Sequence, residues 1–168
     1  MEILPSKLEN IKIIKPPTIF EDFRGSWVET YNEQIYQQAD IEVKFLQDDV
    51  STSRKGVLRG IHGDNRTWKL LSCLYGRIYL VVVDCREGEN FGKWDSFTIS
   101  DSNRLQVLVP PGHGVGHLVM SNKAVLGYKQ STYYDRASQF TYRWNDERFA
   151  IHWPVKNPIL SDRDRKGM

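Results

Sequence analysis

The sequence has no uninterrupted aliphatic or aromatic run longer than Ile78 to Val83, which is a strand's length and far short of a membrane span. Its opening residues, Met1 to Asn10, lack the apolar core of a signal peptide. Two cysteines, Cys73 and Cys85, each sit in an apolar run, without a CxxC pair or a histidine cluster at zinc spacing. They read as buried free thiols of a reducing compartment, so the cytoplasm is the expected location. Charge of neither sign prevails: 23 basic and 21 acidic residues leave a formal charge of +2, with the basic ones scattered. Nucleic acid and membrane are therefore not expected partners. Repeats, low-complexity blocks and a linker are also missing, and 168 residues suit a single domain spanning 1–168.

What is present is a series of short runs rich in Val, Ile, Tyr, Phe and Trp, broken by Gly, Asn, Asp or Pro every eight to twelve residues. That pattern predicts an all-β antiparallel sandwich or barrel. Strands are predicted near 12–14, 27–31, 44–49, 51–54, 57–62, 68–75, 77–84, 94–99, 105–109, 116–120 and 125–133, with Gly76 in a tight turn. Only Asn32 to Asp40 has helical composition, about two turns, so helices are minor. From Trp144 onward, Pro154, Pro158 and weak periodicity predict an irregular tail across the sandwich.

Within six residues, Arg59-Gly60-Ile61-His62-Gly63-Asp64 brings together a guanidinium, an imidazole and a carboxylate. Simple alternation would put Gly60 and His62 on one face with Leu58, and Arg59 with Ile61 on the other. A break at Gly63 would let Asp64 turn. Read alone, His62 is either a satisfied strand-end histidine or a reactive group. Other polar residues interrupting apolar strands are Arg24, Glu29, Gln47, Asp48, Lys69, and Tyr128 with Lys129. A buried charge left unpaired costs about 3–5 kcal/mol, so such residues need partners or a ligand unless they lie on a solvated face. Lys69, between Trp68 and Leu70, either snorkels outward or points a charge into a cavity. Pro110 to His117 holds three glycines and two of the four histidines, His113 and His117. Either of these with His62 and Asp64 would make a loose metal set.

Taken together, these pieces resemble the nucleotide-sugar 3,5-epimerases typified by dTDP-4-dehydrorhamnose 3,5-epimerase. The resemblance runs through Phe23-Arg24-Gly25, Glu29-Thr30-Tyr31, Phe45 to Asp49, Val57 to His62, Phe91 to Trp94, Val109 to Gly112, Tyr128-Lys129, Tyr133-Tyr134, Trp144-Asn145-Asp146 and Leu160 to Asp164. It implies a cupin-type jelly roll, a homodimer with exchanged N-terminal strands, and a reaction without cofactor or metal. By this resemblance His62 is the base, Asp164 the carboxylate that orients it, Tyr128 the acid on the opposite face and Lys69 the cation for the enolate. Arg24, Glu29, Gln47, Asp49 and Arg59 match positions that hold sugar and diphosphate.

Departures from the family pattern concern the surrounding shell. The loop from His62 to Lys69 is short. Val115 stands where rhamnose-pathway enzymes carry a histidine, and Leu80 where they carry its aspartate. Gln139 replaces a glutamate, and His113 and His117 replace residues that are usually aromatic; His117 and Gln139 are counted with the substrate-binding residues. With Asn145 to Arg148 and Pro158 to Asp164, these features resemble a branch acting on GDP-linked 4-keto-heptoses for bacterial surface polysaccharide. The alternatives are a dTDP-4-keto-6-deoxyhexose 3,5-epimerase, a metal-dependent cupin enzyme, and a sugar-nucleotide binding module without catalysis.

Overall fold

A computed structural model describes residues 1–167. Strands β1 (Glu2–Leu4), β2 (Lys12–Lys15), β5 (Gln47–Arg54), β7 (Lys69–Tyr75), β10 (Gln106–Val109) and β12 (Lys123–Gln130) form a six-stranded sheet in the order β1-β2-β10-β7-β12-β5. Facing it, β6 (Leu58–Gly63), β8 (Arg77–Asp84), β9 (Trp94–Ser100), β11 (His113–Val119) and β13 (Phe140–Thr141) form a five-stranded sheet in the order β13-β6-β11-β8-β9. All pairings within the two sheets are antiparallel, giving the expected jelly-roll sandwich. A separate hairpin joins β3 (Ile19–Asp22) to β4 (Gly25–Val28). No helix among the described residues is long and apolar enough to cross a membrane.

The burial pattern explains the layering. Along β8, Leu80 and Val82 face the other sheet, where they join Leu71, Ile78, Ile99, Val107, Val119 and Leu126 in the main core. Their neighbours Val81 and Val83 face outward and are covered by Tyr142, Phe149, Ile151 and Trp153 of the C-terminal tail. Both faces of β8 are thus buried, which is why it reads as a continuous apolar run rather than an alternating one. Gly76 closes the turn between β7 and β8 at φ 78°, where an added Cβ would collide with the carbonyl of Lys123.

Several boundaries differ from the sequence reading. The expected strands 44–49 and 51–54 are one, β5, because Val50 continues the ladder opposite Gly127. The expected helix shortens to α1 (Glu33–Gln37), capped by the Asn32 side chain accepting from the Gln34 and Ile35 amides. β1, β3 and β13 went unforeseen, being two to four residues long and without clear alternation. The tail is irregular as expected, yet it ends in a helical turn, α2 (Asp162–Lys166).

The alternation expected for 57–62 also fails. Arg59 and His62 line the same cavity, while Ile61 faces the outer aromatic cluster. Between the pairs Val115–His62 and His117–Arg59, β11 advances two residues and β6 three. The extra residue in β6 is a bulge, which returns His62 to the face of Arg59. Gly60 makes this possible: its φ is 116°, and a Cβ there would strike the Val115 carbonyl and the Gly116 backbone.

Candidate active site

Between the sheets lies a cavity of about 570 Å³ whose wall includes β5, β6, β7, β11, β12 and the end of the tail. Strand β5 supplies its polar floor through alternation: Gln47, Asp49 and Ser51 point inward, while Val50 is 63% exposed on the outer face. Asp49 accepts from Gln47 Nε2 at 2.7 Å and from Gln130 Nε2 at 2.6 Å, and Gln47 Oε1 accepts from the Tyr134 amide at 2.9 Å.

His62 meets Asp164 across this wall, its Nε2 2.7 Å from the carboxylate Oδ1. Asp164 is brought there by α2, whose N-cap Ser161 both accepts from the Asp164 amide at 3.2 Å and donates to its Oδ2 at 2.6 Å. The Gly60 amide donates to Oδ1 at 3.1 Å. Burial would raise the carboxyl pKa, but donation from His62, Ser161 and Gly60 outweighs it and lowers the value to about 2. Asp164 is therefore an anion at neutral pH, fixed against Nε2, so Nδ1 is the His62 nitrogen left for a substrate proton.

Lys69 also lines the cavity, with its side chain only 12% exposed. Burial lowers its pKa; the charge of Asp64, 3.8 Å away, opposes that and Arg163 adds to it. Asp64 accepts from the amides of Arg66 at 2.8 Å and Thr67 at 2.7 Å and from Gln139 Nε2 at 2.8 Å. Burial would raise its pKa, yet the hydrogen bonds from Arg66 and Thr67 and the charge of Lys69 hold it lowered. Tyr128 completes the set on the wall formed by β12. Burial first, and then the charge of Asp49, raise its pKa, so it remains a phenol with a proton to give.

The cavity thus collects His62, Lys69, Tyr128, Asp164, Gln47, Asp49, Arg59, His117 and Gln139. Arg24 and Glu29 are not among them. Arg24 is exposed on the β3–β4 hairpin, its guanidinium bound to Asp22 at 2.6 Å, and Glu29 follows that hairpin. Nor do the metal candidates converge. Gly63 does not break the chain but stays in β6, and Asp64 is committed to amides, Gln139 and Lys69. His113 lies behind the wall, with Nδ1 3.1 Å from the Pro111 carbonyl and Nε2 3.8 Å from Asp84. Among the described residues, no group of three His, Cys, Asp or Glu side chains could hold a metal ion.

Sequence reasoning passed over Arg136, Arg163, Tyr134 and Ser161, which also line the cavity. Arg163 had a readable signal, since it directly precedes Asp164. Its Nε donates to Thr141 Oγ1 at 2.9 Å, and its terminal nitrogens have no hydrogen-bond partner among the described residues. Ser161 with Asp164 three residues on has the spacing of a capping motif. Where the family pattern has a histidine–aspartate pair, the apolar substitutes behave as apolar residues: Leu80 is fully buried in the core, and Val115 packs against that core while lining the cavity.

The arrangement offers a base held by a carboxylate, a phenol and a buried ammonium around one space, the equipment for moving a proton next to a carbonyl. Residues 5–168 match the family model described as dTDP-4-dehydrorhamnose 3,5-epimerase. The dTDP-4-dehydrorhamnose 3,5-epimerase of Escherichia coli strain K12 is 37% identical over 172 residues, covering 99% of this chain and 92% of the relative. A crystal structure of the Bacillus anthracis dTDP-4-dehydrorhamnose 3,5-epimerase with TDP and PPi bound superposes with a TM-score of 0.94 at 33% identity, covering 99% of this chain and 98% of that one. A Legionella pneumophila dTDP-6-deoxy-D-glucose-3,5-epimerase in complex with dTDP-4-keto-L-rhamnose gives 0.91 at 35% identity, covering 97% and 89%. The chain belongs to the dTDP-4-dehydrorhamnose 3,5-epimerase family, a family of isomerases acting on sugar nucleotides.

Proposed function

We propose that the chain epimerises a dTDP-linked 4-keto-6-deoxyhexose at C3 and C5. The C4 ketone acidifies the hydrogens on both neighbouring carbons. In this reading His62 Nδ1 removes one of them, and Asp164 stabilises the imidazolium that results. Lys69 donates to the oxygen that becomes the enolate, and Tyr128 returns a proton to the opposite face. Protons alone move, so the chemistry calls for no redox cofactor. Arg59 and Arg163 carry positive charge into the cavity without a carboxylate partner among the described residues, which suits a diphosphate. The observation that carries the reading is the 2.7 Å His62–Asp164 contact, opening onto a cavity shared with Lys69 and Tyr128.

The dTDP-sugar names of the relatives support the hexose substrate over the GDP-linked heptose that the sequence suggested. One observation keeps the heptose as a second reading: Val115, His117 and Gln139, the departures that the resemblance marks in the sequence, all line the cavity. Proton NMR in D₂O tests both. With dTDP-4-keto-6-deoxyglucose, the enzyme is expected to put deuterium at C3 and C5, and His62→Asn to abolish it. Exchange only with a GDP-4-keto-heptose would transfer the proposal to that substrate; exchange with neither would end it.

A homodimer belongs to the same reading. Its support is the β3–β4 hairpin, where Phe23 is 98%, Phe20 65% and Trp27 58% exposed beside Arg24. A cytoplasmic location accords with two free cysteines.

A further inference from the structure

We propose that His117 is a specificity-determining contact, hydrogen-bonding a hydroxyl of the sugar beside His62. The inference rests on the epimerase reading above and deepens it.

His117 sits on β11 opposite Arg59 of β6 and Leu80 of β8, and it lines the cavity. It is 7% exposed, yet among the described residues no side chain or backbone group hydrogen-bonds its ring. Its nitrogens are not sealed in the protein either, since neither is among the fully buried side-chain atoms that lack a partner. What remains open to the His117 ring is the cavity. A polar group held this way keeps its hydrogen-bonding capacity for whatever fills the space.

The kind of ligand follows from charge. Burial lowers the His117 pKa to about 4, with the charges of Arg59 and then His62 acting in the same direction and Asp164 opposing them. At neutral pH the ring is uncharged, with one N–H donor and one lone-pair acceptor. That pair of functions complements a hydroxyl, which also donates and accepts. It is a poor match for a diphosphate, which only accepts and has the arginines to hold it. Val115, two residues earlier on the same wall, is apolar. Along β11, therefore, the polar contact available to the sugar is His117.

The test compares His117→Phe, which keeps an aromatic ring without nitrogen, with His117→Gln, which keeps a donor and an acceptor. The probes are the 4-keto sugar nucleotide that the unmodified enzyme turns over and the matching nucleoside diphosphate without sugar. His117→Phe is expected to lower kcat/KM about 10–100-fold, the range of one lost hydrogen bond in a closed site, and His117→Gln to recover much of it. Binding of the nucleoside diphosphate, followed by calorimetry, is expected to stay within about twofold for both. Unchanged kcat/KM in His117→Phe would overturn the proposal and make His117 a packing residue. A parallel loss of nucleoside diphosphate affinity would overturn it in favour of a phosphate or folding role, and so would failure of Gln to recover anything that Phe loses. If the unmodified enzyme turns over neither sugar nucleotide, the epimerase reading itself fails, a result separate from all of these.

Discussion

Asp164 Oδ1 lies 2.7 Å from His62 Nε2, so the final helical turn of the chain supplies the carboxylate for a histidine on β6. Held there by Ser161 and the Gly60 amide, the carboxylate is fixed before any substrate arrives. Replacing it with an amide keeps the shape and removes the charge that stabilises a protonated His62. Asp164→Asn is expected to lower kcat by about 10²–10⁴, the range of a general acid–base contribution, with little change in KM. Steady-state kinetics on the sugar nucleotide would check this, and a variant within threefold of the parent enzyme would remove Asp164 from the chemistry.

Acid should unfold the protein in two windows. The folded state favours ionised Asp164, whose pKa falls from 3.8 to about 2, so its contribution is complete above 3.8 and is lost as pH falls towards 2. A shift of that size corresponds to about 2 kcal/mol. Folding also favours neutral His117, whose pKa falls from 6.5 to about 4; that contribution is complete above 6.5 and declines as pH falls towards 4. Chemical denaturation at a series of pH values is expected to show His117→Phe flattening the upper slope and Asp164→Asn the lower one. Neither slope should vanish, because His113 shares the upper window and Asp64, Asp84 and Asp146 shift in the same direction as Asp164.

Tyr128 separates two events that the full reaction joins. With His62 and Asp164 intact, Tyr128→Phe retains the base and loses the opposing acid. Deuterium should still enter the substrate from D₂O, while formation of the inverted sugar falls about 10²–10⁴-fold. NMR follows both in one sample. Normal inversion in the variant would show that another group returns the proton.

How much of this was legible in the sequence depended on what each residue needed from its surroundings. Lys69 could be singled out because a lysine between Trp68 and Leu70 conflicts with its own strand, and the structure resolves that conflict by opening a cavity beside it. His62 and Arg59 were both found, but not on one face, because a bulge depends on the register of β11 against β6 and leaves no trace in alternation. Arg163 was missed for a related reason: in a five-residue helix at the chain end, periodicity carries no signal, and only the fold brings that turn to His62. Val115 and Leu80 were readable as departures from a family pattern. Their consequence, a wall on which His117 is the polar group of β11, arises only when the fold turns Val115 and His117 towards the cavity.

Arg24, like Glu29, is an expected ligand residue that its own chain keeps out of the cavity, and the hairpin that holds Arg24 suggests where it acts. Phe20, Phe23 and Trp27 expose an apolar surface there, and an exposed β-ribbon invites pairing with a second copy. If the exchange of hairpins in a twofold dimer brings each Arg24 to the partner's cavity, Arg24→Ala and His62→Asn damage different halves of one composite site. Alone, Arg24→Ala would be weak at low substrate concentration and His62→Asn would be inactive at any. Co-expressed, they would form mixed dimers with one site having both Arg24 and His62 intact, so random pairing should restore about a quarter of the parent activity. Phe20→Ser with Trp27→Ser should meanwhile give monomers by analytical ultracentrifugation. Two dimeric variants that restore nothing on mixing would mean that Arg24 does not serve a partner, and the hairpin's apolar face would then need another explanation.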